Sequence, residues 1–285
     1  MKKFLNNQNI GYIFILPWII GFLAFTVYPI FYSLYLSFFN VVITATGLQT
    51  EFIRFENFQT IISSDLDFIR MVGSFFRESL ISVPLIVILA LIMALLLNQK
   101  IKARGLFRTI FFLPVIISSG PVMEKLIDLG VTTIPNLADY QFYQVLALNS
   151  GFFLVDILIY ILNHTIILLW LSGVQILIFL AALQKVDRQV YEAARIDGAS
   201  TWEIFWKITL PTLFPMILVN IIYTMVMYSS SALNPIVNHI SSHMFRVETG
   251  FGYASALSWL YFLIIAVILG ILAGTFMLLE RKSLQ

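Results

Sequence analysis

Apolar residues gather in six stretches, at about 10–39, 79–98, 106–123, 155–183, 212–233 and 253–279, with polar segments between them. A helix needs about 20 mostly apolar residues to cross the hydrocarbon core. Backbone amides in lipid must find partners within the segment, so each stretch is predicted to be a helix. Period-2 alternation is absent, which excludes an outer-membrane barrel. The pattern predicts an all-α, polytopic membrane protein with six transmembrane helices. Pro17 and Pro29 interrupt the first stretch, and Pro114 and Pro121 fall in the third. Lys2 and Lys3 precede the first stretch, which is too long for a signal peptide and lacks a small-residue cleavage site, so it reads as a retained anchor. Without repeats or linkers, residues 1–285 read as one transmembrane domain.

Composition supports this class. The chain is 60% hydrophobic and 11% charged, with a mean hydropathy of +0.92. A soluble domain could not hide that much apolar surface. With no cysteine, disulfides, thiol catalysis and thiolate metal sites are excluded. His239 and His243 stand at i and i+4, but no third ligand is evident in the sequence, so no metal site is expected. The distribution of charge sets orientation. Lys2, Lys3, Lys100, Lys102, Arg104, Arg108, Lys185, Arg188, Arg195, Lys207, Arg281 and Lys282 fall on one side, and only Arg54, Arg70, Arg77, Lys125 and Arg246 on the other. Both termini and residues 184–211 are therefore expected in the cytoplasm. Residues 40–78, 124–154 and 234–252 form the outer loops. In 124–154 the apolar patches read as an interfacial or re-entrant helix, or as the ragged start of the fourth span.

The cytoplasmic segment 184–211 carries the sharpest local signals. Asp187 suits a helix N-cap. Val190, Ala193 and Ala194 form a small-residue stripe. Gly198 falls where a first helix should end, because glycine tolerates a left-handed backbone. Ser200 and Glu203 form a capping box for a second helix. Trp202, Phe205 and Trp206 share one face of it, and Pro211 fits the first turn of the next span. One reading is an amphipathic connector on the lipid surface. The other is a helix docked into a partner's groove.

Glu192-Ala193-Ala194, then Gly198, then nine residues to Ile208, followed by Leu210-Pro211, resembles the signature loop of permease subunits of type I ABC importers. Ala194 to Ser200 (Ala-Arg-Ile-Asp197-Gly-Ala-Ser) resembles the carbohydrate-uptake branch, of maltose and glycerol-phosphate type. Leu16-Pro17-Trp18, Tyr28-Pro29, Phe107-Arg108-Thr109, Phe112-Leu113-Pro114 and Phe251 to Ala256 are similar to blocks of that branch. The chain departs from it at Asp187, where proline is frequent, and in 234–252, which lacks a Gly-Gly-Pro stretch. The resemblance implies the type I importer permease fold and a coupling helix that fits an ATPase subunit. Glu192, Ala193, Ala194, Asp197, Gly198, Ile208, Leu210 and Pro211 would be its coupling residues. It also implies two ATPase subunits carrying ATP and Mg, a second and different permease chain, and an extracytoplasmic solute-binding protein. The cargo would be a sugar or oligosaccharide, or alternatively a glycerol-phosphate-type solute.

Polar residues inside spans are costly and often mark function or helix contacts. Asn220, Tyr223, Thr224 and Tyr228 in the fifth span, and Gln175 in the fourth, offer the amides, hydroxyls and aromatic faces that a sugar needs. Interhelical hydrogen bonding is the alternative role for them. Asn220, Tyr223 and Thr224 share a face expected to line a central cavity. There is no phosphate-cradling glycine-rich loop and no catalytic set, so the chain is expected to bind no ATP and to catalyse nothing itself. An ion-driven secondary transporter would be expected to show mid-span carboxylates, which are lacking here.

Overall fold

The computed structural model describes residues 7–44, 47–99, 105–106, 109–110, 113, 125, 129–130, 134, 137–231, 233–246 and 248–283. Five helices in it are long and apolar enough to cross a membrane: Phe14–Leu36, Leu66–Asn98, Leu154–Leu171, Thr201–Ser229 and Gly250–Phe276. The predicted span at 106–123 lies almost wholly outside the described residues.

In chain order the elements begin with α1 (Asn7–Phe22), a wide π turn (Leu23–Val27) and α2 (Tyr28–Leu36). An antiparallel hairpin follows, β1 (Phe39–Thr44) with β2 (Gly47–Phe52), and then α3 (Glu56–Ser64) and α4 (Leu66–Asn98). Next come α5 (Gln141–Leu148), α6 (Phe153–Leu171), α7 (Gly173–Lys185), α8 (Arg188–Ile196) and α9 (Thr201–Ile204). A second π turn (Phe205–Thr209) leads into α10 (Leu210–Ser229), followed by α11 (Pro235–Met244) and α12 (Gly250–Ser283).

The all-α class holds, with one short addition: 40–78 carries the hairpin, in which Phe39 faces Phe52. Two of the expected spans, 79–98 and 155–183, need correction. The second span starts much earlier than residue 79, since α4 runs 33 residues from Leu66. The predicted span 155–183 is two helices. The Ser172 N–H and hydroxyl both bond the Leu169 carbonyl, at 3.2 and 2.7 Å, which tightens the turn and ends α6 before Gly173. Loop 234–252 contains a helix, α11.

Both π turns stand directly before a proline. The Tyr28 N–H reaches back to Leu23 and the Leu210 N–H to Phe205, each five residues away. Pro29 and Pro211 come next. A proline ring crowds the carbonyl four residues earlier, and a wider turn relieves that crowding.

The chain divides into two compact units, Met1–Met71 with Ile236–Ala266, and Val72–Pro235 with Val267–Gln285. In the first unit, buried Asn57 donates to the Ser37 and Phe39 carbonyls at 3.0 and 3.1 Å, fixing α3 under the hairpin's entry. Trp259 Nε1 donates to Ser33 Oγ at 3.1 Å. Gly252 lies so close to the strand that an added Cβ would overlap the Phe39 carbonyl oxygen. In the second unit, Val87, Ala90, Ala94 and Leu97 of α4 pack on Ile176, Phe179, Leu180 and Leu183 of α7, with Leu213 of α10. Ala90 and Ala94 are fully buried. In lipid, helices associate through close van der Waals packing, and small residues allow it.

Candidate coupling loop and polar clusters

Helix α8 begins at a cap, where the Asp187 carboxylate accepts the Gln189 N–H at 2.9 Å. The helix has no buried residue. Val190 is 46% exposed and Ile196 86% exposed, an apolar exposure that none of the described residues covers. Glu192, Ala193, Asp197 and Gly198 are exposed and Ala194 is half-buried. Gly198 has φ +83°, so the helix ends in the left-handed residue that the sequence led one to expect.

The second half of the loop is also locally determined. Ser200 Oγ accepts the Glu203 N–H at 3.3 Å, and the Glu203 carboxylate accepts the Ser200 N–H at 2.9 Å. This reciprocal cap is worth about 1 kcal/mol. Trp202, Phe205 and Trp206 contact one another, with ring centroids 5.2 to 6.4 Å apart. Pro211 stands in the first turn of α10, while Ile208 and Leu210 are half-buried.

One link was missed in the sequence. The Tyr191 hydroxyl meets the buried Thr209 Oγ1 at 3.2 Å. It joins α8 directly to the last residue before α10. No spacing rule reveals it, because the contact crosses the Gly198 turn.

The polar span residues do not form one group. Gln175 Nε2 donates to Thr224 Oγ1 at 2.9 Å, and Thr224 Oγ1 donates to the Asn220 carbonyl at 2.6 Å. Gln175, Asn220 and Thr224 are all buried, in a seam between α7 and α10. Among the described residues, the Gln175 carbonyl oxygen and both side-chain polar atoms of Asn220 are buried without a hydrogen-bond partner. Asn220 and Thr224 thus share a face as expected, but it is the packed face of α10. Tyr223 is half-buried. Tyr228 stands apart, stacked on Phe75 at 5.6 Å, with its hydroxyl 3.5 Å from Glu78 Oε2.

A third cluster lies in the first unit. Asp65 Oδ2 is 2.9 Å from His239 Nε2 and accepts the Tyr253 hydroxyl at 2.9 Å, while the Phe68 N–H donates to Oδ1 at 2.9 Å. Burial opposes charge on Asp65. The bonds from His239, Phe68 and Tyr253 outweigh it and hold the carboxyl below its ordinary pKa. Burial, then the charges of His239 and Arg246, push His243 below the usual imidazole value.

Comparison with known proteins places the chain. It is 32% identical to the Probable ABC transporter permease protein YesP of Bacillus subtilis, over 96% of this chain and 94% of that one. It is 29% identical to the lactose transport system permease protein LacF of Rhizobium radiobacter, over 90% and 91%. Among solved structures, a bacterial alginate ABC transporter in complex with an alginate pentasaccharide-bound periplasmic protein shares the fold, with a TM-score of 0.66 at 21% identity over 95% of each chain. The family model of the binding-protein-dependent transport system inner membrane component matches residues 67–279. With the signature residues of the α8–α10 loop and five apolar spans along the sequence, the chain belongs to this family of ABC transporter permeases.

Proposed function

We propose that this chain is one permease domain of an ATP-driven importer that moves a sugar or oligosaccharide. Its relatives include permeases named for lactose, multiple sugars and arabinooligosaccharides, and this supports the cargo class. An extracytoplasmic binding protein delivers the cargo, and a second, different permease chain completes the passage. Both termini and residues 184–211 face the cytoplasm, on the strength of the basic-residue asymmetry. ATP and Mg bind to two partner ATPase subunits, which hydrolyse the nucleotide, and this chain holds neither.

Helix α8 docks on an ATPase subunit through Glu192, Ala193, Ala194 and Asp197. Gly198 sets the turn, and Ile208, Leu210 and Pro211 root the loop in α10. The observation that carries this reading is the exposed α8 surface, capped at both ends and linked to α10 through Tyr191 and Thr209. Such a lever passes motion of a soluble partner into the span. The cargo passage includes the seam of Gln175, Asn220 and Thr224, with Tyr223 next to Thr224 on α10 and Tyr228 about one helical turn beyond it, outside the seam. The three partnerless amide atoms support this, because hydroxyl groups of a cargo would satisfy them when the seam opens.

The test is cross-linking in the assembled complex. With no native cysteine, Ala194→Cys gives a single thiol. It should cross-link to an ATPase subunit carrying a cysteine in its membrane-facing cleft, and the cross-link should stop uptake of labelled oligosaccharide. No cross-link in a complex that still contains the ATPase would return the loop to a surface connector.

A further inference from the structure

The sequence offers His239 and His243 without a third ligand, and the fold supplies one. One ring nitrogen of each histidine and a carboxylate oxygen of Asp65 lie within 4.8 Å of one another. The histidines occupy successive turns of α11, and Asp65 sits in the corner between α3 and α4. We propose that Asp65, His239 and His243 form a binding site for one zinc ion, tying α11 to the α3–α4 corner. Nothing in the transport reading requires this site, and it stands on the first unit's geometry alone.

Two nitrogens and one carboxylate oxygen suit Zn²⁺, which commonly takes three protein ligands and a water. Zn–N and Zn–O bonds of about 2.0–2.1 Å put tetrahedral ligand atoms about 3.3 Å apart. The Asp65–His239 pair is already at 2.9 Å, so only the wider separations must shrink by side-chain rotation. Asp65 and His239 side chains are 9% and 11% exposed, which shields an ion while leaving an entry. The surrounding contacts match those that orient metal ligands. Tyr253 donates to the Asp65 carboxylate, and Thr249 Oγ1 meets His243 Nδ1 at 3.1 Å, leaving the other nitrogen of that ring for an ion. Zinc entry replaces the proton shared between His239 and Asp65, so any proton held there is released.

The alternative is a hydrogen-bonded clasp without metal, and direct measurement separates the two. The full chain, in its assembled complex in lipid nanodiscs, is stripped with EDTA and titrated with zinc. The expected result is one zinc per copy of this chain by elemental analysis, with Co²⁺ giving the visible bands of a four-coordinate site. Asp65→Asn and His243→Gln should each weaken zinc binding by about a hundred-fold or more, and Tyr253→Phe by about ten-fold. Zinc should also raise the unfolding temperature of the wild type but not of the variants. A wild-type complex that binds no zinc overturns the proposal whether or not the variants fold. So does an Asp65→Asn complex that binds it with unchanged affinity.

Discussion

Gln175 and Thr224 lie 49 positions apart and meet at 2.9 Å, side chain to side chain, inside the α7–α10 seam. The bond uses only one end of the amide, since the Gln175 oxygen is left without a partner. A buried amide with incomplete partners gains little over a hydrocarbon of the same shape, because the cost of its unsatisfied atoms offsets the bonds it makes. Gln175→Leu and Asn220→Leu should therefore stay within about 1 kcal/mol of the wild type in unfolding measurements. Uptake should fall at least several-fold while binding-protein-stimulated ATP hydrolysis persists. Stability loss with normal uptake would make the seam a packing device.

Tyr191→Phe removes one hydroxyl and its bond to Thr209. The stability change should be about 0.5–1.5 kcal/mol. The informative readout is the number of molecules transported per ATP hydrolysed. This ratio should drop, because α8 is no longer tied to the start of α10, while co-purification of the ATPase is unchanged.

At Gly198 the cost is purely conformational, since an added Cβ meets nothing within 4 Å and φ is +83°. Gly198→Ala should cost about 1–2 kcal/mol of local strain. Gly198→Asn should cost less, because asparagine visits that region more readily. Transport rates should rank wild type, Asn, Ala. Glu192→Lys, an exposed charge reversal, should abolish transport without reducing membrane insertion.

Gly252 presents the opposite case. Here the space is missing, because a Cβ would strike the Phe39 carbonyl, which is backbone and cannot swing aside. Gly252→Ala should lower the unfolding temperature more than Gly198→Ala does, and protease should cut the hairpin sooner.

Orientation can be read with single cysteines at Gln189 and Gln59, both exposed. A membrane-impermeant maleimide should label them from opposite faces of sealed vesicles. Labelling of both from the same face would overturn the topology that puts residues 184–211 and 40–78 on opposite sides.

The α8–α9 segment was legible in the sequence because its signals are local. Asp187, Gly198, Ser200 and Glu203 act on backbone groups within a few residues, and each adopts the role that its chemistry suggests. Apolar length located the long helices for the same reason. What escaped depends on distant partners or on weak polar competition. The break at Ser172 turns on one hydroxyl in an otherwise continuous apolar run. The hairpin at 39–52 is held by pairing across strands, and Asp65 is joined to His239 over 174 positions. Helix periodicity carries no trace of such closures.

The π turn at Phe205–Thr209 gives the fixed spacing of the signature a physical meaning. On a helix each residue advances the direction of a side chain by about 100°. Removing one residue between Gly198 and Ile208 would shorten the chain very little. It would, however, swing everything ahead of the cut roughly a quarter-turn around the span, taking Tyr191 away from Thr209 and aiming α8 at a different side of the bundle. The nine-residue interval therefore acts as an angular setting. A one-residue deletion there should be far more damaging than its length suggests, and a compensating insertion within the same turn should restore the alignment.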